Sequence, residues 1–215
     1  MSFLNQLKSQ ASVLRSEQTA RQTYSEANTR LTEAAAKTTW LYVTELVKQL
    51  NVIGPNGPAL SLDGKTPWPV MKLIDFRVDA RKKRLRDQEV YDYIAVGWRM
   101  VPREGEPVAA SVSANFPPDL HRIEARLAVG AVEHERVNVR HPEKNTLQAI
   151  RFDYVTQARG GVTITADHDN AKLAFRLANA QGFGLVNTAY TAAQIQSHLL
   201  DELAKLIVGQ ASRFI

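Results

Sequence analysis

The sequence predicts an α+β protein: a mainly antiparallel sheet of about six to seven strands, packed with an N-terminal helical segment and a C-terminal helix. Three observations carry this. All 11 Gly and 9 Pro of the 215 residues lie at or beyond Gly54, behind a start rich in Ala, Thr, Gln, Leu, Lys and Glu that suits a helix. Apolar residues then alternate with period two between turn signals, and helical spacing returns after Thr191.

In the helical start, Leu4, Leu7, Ala11 and Leu14 follow a 3,4,3 spacing, and Tyr24, Ala27, Leu31, Ala34, Thr38 and Leu41 repeat it in another frame. Gln18 and Arg21 stand where the first stripe would continue, and Thr23 with Glu26 forms a capping-box pair. The expectation is a break near Thr23, either a kink or a second helix start, dividing a helical arm (1–22) from a single α+β domain (23–215) that opens with helix 23–51. From Trp40 to Leu50 the segment is apolar on more than one face and belongs in the body.

Gly54-Pro55-Asn56-Gly57-Pro58 stops that helix and opens a linker, 54–69, that contains Asp63-Gly64 and Pro67-Trp68-Pro69. Ile74, Phe76, Val78 and Ala80, then Val96, Trp98 and Met100, then Val108 to Phe116 alternate as strands. The proline pair Pro117-Pro118 with Leu120, Ile123 and Leu127 suits a short helix near 118–129. Residues 147–190 read as a meander, with turns at Gly160-Gly161, Asp169-Asn170 and Gly182. Thr191 and Gln194 form a capping box for a closing helix, 192–208, with Ile195, Leu199, Leu203 and Leu206 on one face and Gly209 after it.

With 44% hydrophobic and 23% charged residues, the composition is that of a globular chain rather than a disordered one. It has no Cys, which excludes disulfides, thiolate nucleophiles and Cys-based zinc sites. The start lacks a secretory pattern, and the longest stretch free of charge, 177–200, carries Asn179, Asn187, Gln194 and Gln196. The expectation is a cytoplasmic protein that does not insert in a membrane.

No motif assigns a catalytic residue, a cofactor or a metal. The histidines form no ligand pair on one helical face, Asp167-His168-Asp169 reads as a turn, and Gly182-Phe183-Gly184 lacks the third glycine of a dinucleotide loop. Trp68 reads as a plug for its own sheet, with a partner anchor as the competing reading. The Arg213-Phe214-Ile215 tail either folds back or docks in a neighbour.

Three functional readings stay open. The first is a non-enzymatic binding or assembly module whose N-terminal helix meets a second copy or another protein, because a lone arm with a thin apolar stripe gains most from packing. The second is a small-ligand protein or enzyme with a pocket between curved sheet and helix, with Tyr91, Tyr93, Arg99, Arg151, Asp153 and Tyr154 as candidate lining. The third is nucleic-acid or other polyanion binding by Arg77, Arg81, Lys82, Lys83, Arg84 and Arg86. Lys72 to Arg86 holds seven basic residues against Asp75 and Asp79, so it carries the whole formal excess of +5. The run lacks interleaved aromatics and acids follow at once, so a solvated hairpin is the competing reading.

Overall fold

A computed structural model describes residues 3–215. Helix α1 (Phe3–Ile53) leads through an irregular segment into β1 (Met71–Leu85), β2 (Gln88–Pro102) and β3 (Ala109–Ala114). Helix α2 (Pro117–Val129), β4 (His134–Arg140), β5 (Leu147–Val155), β6 (Ala158–Asp167), β7 (Lys172–Ala178), β8 (Leu185–Thr191) and α3 (Ser197–Ile207) follow. The architecture is α+β and every strand pairing is antiparallel, with eight strands divided between two sheets, β1-β2-β6-β7-β8 and β3-β5-β4.

The expected break near Thr23 is absent: α1 is one helix, and Thr23 Oγ1 donates back to the Thr19 carbonyl instead of capping a new start. The frame of Leu4, Leu7, Ala11 and Leu14 runs on at 3,4 spacing through Gln18, Arg21 and Ser25. It then becomes the buried face at Asn28, Thr32, Ala35 and Thr39. That face is disguised because it is polar or small, and Asn28, Thr32 and Thr39 on it are each hydrogen-bonded. Asn28 Nδ2 donates to the Asp169 carbonyl (2.6 Å), and the Thr32 and Thr39 hydroxyls donate to the carbonyls four residues back (2.8 and 2.9 Å). Val43, Val47 and Leu50 complete it, and α1 lies across β1, β2, β6 and β7 with its far end against α3.

The end of α1 also shapes the sheet. Asn51 Nδ2 donates to the Phe76 carbonyl (2.9 Å) and its Oδ1 accepts the Phe76 N–H (2.8 Å), a strand-like pair made by a side chain. It closes a bulge between Ile74 and Arg77 in which Asp75 takes φ 55°.

Trp68 is buried between the sheets, stacked on Tyr154 (5.4 Å) with its edge contact to Phe183 (5.2 Å), so it plugs the body and is no exposed anchor. The Thr191–Gln194 box closes a 3-10 turn, Ala192–Gln194, and α3 starts afresh at Ser197. Leu199, Leu200, Leu203, Leu206 and Ile207 are buried, and Gly209 follows at φ 70°. The tail folds back: Phe214 is buried edge-on to Phe175 (5.2 Å), and its carbonyl accepts the Tyr190 hydroxyl.

Candidate functional site

The basic run lies on the β1–β2 hairpin, and its geometry is that of a cross-strand charge ladder. Lys83 and Arg81 reach Asp92 (2.9 and 4.0 Å), Lys82 reaches Glu89 (3.6 Å), Arg84 reaches Asp87 (3.1 Å), and Arg86 pairs with Asp169. The Lys83 ammonium holds the Asp92 carboxyl below the usual carboxylate range. Five of the six basic candidates thus have an acid within ion-pair distance, and only Arg77 stands apart.

The six ligand candidates do not converge. A second bulge between Arg81 and Lys82 turns Tyr91 toward α1, where it lines a groove with Glu33, Lys37, Trp40 and Lys82. Tyr93 and Arg99 alternate with Ile94 and Trp98 on the opposite, outer face of the five-stranded sheet. Arg151 and Asp153 grip each other through two 2.9 Å bonds on β5, and Tyr154 lies in the core. Buried His168 directs Nε2 to the Tyr91 carbonyl (2.8 Å), and Asp167 closes on Asn170 (2.8 Å). Among the described residues no group of three or more His, Asp or Glu is placed to hold a metal ion.

Two other features stand out. The first is a hollow of about 270 Å³ on the outer sheet face, lined by Asp75, Arg77, Gly97, Trp98, Arg99, Arg159 and Gly160. Gly160-Gly161, expected as a turn, lies inside β6, directly opposite Trp98 and Gly97. A Cβ on Gly160 would stand 2.4 Å from the Trp98 indole nitrogen and one on Gly161 2.9 Å from the Val96 carbonyl, so both positions require glycine. Arg99 is fixed by bonds to Asp75 (2.8 Å) and Gln157 (2.9 Å). Sequence order offered no sign of this juxtaposition except the glycine in an alternating strand.

The second is the outward face of α1. The stripe Tyr24, Ala27, Leu31, Ala34, Thr38 and Leu41 points to solvent, not to the body, with Tyr24, Leu31 and Leu41 exposed to 68%, 53% and 60%. At the same 3,4 spacing it extends back to Val13 and on to Val52, exposed to 52% and 85%. No helix among the described residues is long and apolar enough to cross a membrane. Comparison with protein-family models, with curated proteins and with solved structures finds no match.

Proposed function

We propose that the protein is a self-assembling module whose α1 helices pair antiparallel, outward face to outward face, in a two-fold dimer. The observation that carries this reading is the outward stripe, about 40 residues long, mainly apolar from Ala20 to Leu41 with charged positions only toward its ends, and uncovered by anything else among the described residues. Such a face exceeds what a solvated helix surface needs, and a heptad-spaced stripe fits another helix.

The stripe is also complementary to itself when inverted. In an antiparallel pair, the first apolar position of each heptad meets the second of its partner, and one register matches the whole length. It places Val13 against the partner's Val52, Glu17 against the partner's Lys48, Tyr24 against the partner's Leu41, and Leu31 against the partner's Ala34. Glu45 meets the partner's Ala20 and Thr38 the partner's Ala27. Large residues meet small ones at the centre, and an acid meets a base near each end. Because the contact is isologous, each of these pairs occurs twice.

Light scattering on the eluting full chain tests the reading. The expected mass is twice the 24.0 kDa protomer for the parent and one protomer for Leu31→Glu, which sets two carboxylates at the centre of the seam. A parent chain that elutes at protomer mass at every concentration, or a Leu31→Glu variant that stays dimeric, would overturn it.

A further inference from the structure

The hollow on the outer sheet face gathers three arginines, Arg77, Arg99 and Arg159, around one acid, Asp75. Arg99 and Arg159 are directly opposite one another on neighbouring strands, and Arg77 faces Gly97 two residues along the same face. Like charges placed so repel, and a sheet gains nothing from them. Only one acid answers the three guanidinium groups: Asp75, which the bulge and the Asn51 clamp turn toward Arg99. Neither Arg77 nor Arg159 has a carboxylate within 4.0 Å among the described residues, whereas the five bases from Arg81 to Arg86 each do.

The floor matters as much as the rim. Gly97 and Gly161 face each other where two side chains would otherwise stand, so the space between the arginines is open down to backbone. Arg99 is already held by Asp75 and Gln157, so ordering it costs little when a ligand arrives. Guanidinium forks match the oxygens of a tetrahedral dianion, two bonds at a time. Three arginines less one aspartate leave two positive charges for it to neutralise.

We propose that this hollow binds a phosphate group, either inorganic phosphate or the terminal phosphate of a monoester. The inference is independent of α1 pairing, since the hollow and the outward helix face lie on opposite sides of the sheet.

Titration calorimetry of the full chain at low salt with inorganic phosphate, and separately with glycerol phosphate, tests it. The expected result is saturable binding in the millimolar range or tighter, weakened at least tenfold by Arg77→Gln or Arg159→Gln and unchanged in Arg84→Gln, which removes an equal charge from the hairpin. Gly97→Val should abolish it without removing charge, because a Cβ there meets nothing closer than 4.0 Å and the added methyl groups fill the hollow. Tighter binding of glycerol phosphate would identify a monoester as ligand, and equal binding the free anion; both uphold the site. Equal weakening in Arg84→Gln, retention in Gly97→Val with normal folding, or no saturable binding of either anion would overturn it.

Discussion

Replacing Asn51 with Ala should cost the protein about 2 kcal/mol, although Asn51 is an exposed residue at the end of a helix. Its amide closes the Phe76 backbone, accepting from the N–H at 2.8 Å and donating to the carbonyl at 2.9 Å, at a bulge where Phe76 has no register partner on β2. Each partly buried backbone group left unpaired costs about 1–3 kcal/mol, and water reaching the bulge from the Asn51 side brings the two losses toward the lower end. For a domain of this length about 2 kcal/mol corresponds to a melting temperature about 4–8 °C lower. Asn51→Asp should lose less, since it keeps the acceptor for the Phe76 N–H. Thermal denaturation followed by circular dichroism reads both. A melting temperature unchanged in Asn51→Ala would refute the reasoning, because it would mean that the bulge holds itself.

Leu203→Ala should destabilise by about 3 kcal/mol, since Leu203 lies at the centre of the buried face of α3, and Leu199→Ala by about 2 kcal/mol, since Leu199 sits in its first turn. Urea midpoints check the order, and equal small shifts would contradict the placement. Burial opposes ionisation of Asp63, but the N–H groups of Thr66 and Lys65 and the hydroxyls of Thr66 and Ser61 outweigh it, holding the carboxyl well below its usual range. A carboxyl with a depressed folded pKa stabilises above its unfolded value, about 3.9, and that contribution fades as pH falls through the lower folded value. Asp63→Ala should therefore be less stable than the parent at neutral pH and lose less on acidification below about pH 4; parallel stability curves would exclude the effect.

Much of the scaffold was legible because its signals are local. The Gly54–Pro58 stop, the Pro117-Pro118 start of α2 and the alternation of β5 to β7 each come from a few neighbouring residues. The features that escaped depend on what lies across the fold. The α1 face that enters the body is built of Asn28, Thr32 and Thr39, so apolar periodicity pointed to the opposite face and implied a break that does not exist. Gly160-Gly161 has the look of a turn because strands disfavour glycine, yet the bulk of Trp98 and the approach of the Val96 carbonyl demand it there. Strand β4 escaped because it is an edge strand with polar residues on both faces. The arginine hollow needs the β1–β2–β6 register and the Asn51 bulge, neither of which is encoded in any one segment.

Antiparallel pairing of α1 is tested most directly by a covalent trap. The chain contains no Cys, so the double variant Tyr24→Cys, Leu41→Cys introduces the only two thiols. Within one chain they are 17 residues apart on one helix, about 25 Å, far beyond the span of a disulfide. Across the inverted register each lies opposite the other's counterpart. Mild oxidation should convert the double variant to a covalent dimer whose peptides link position 24 to position 41, while each single variant stays uncrosslinked under the same conditions. Dimers linked 24 to 24, or no crosslinking of the double variant at concentrations where the parent is dimeric, would contradict the pairing.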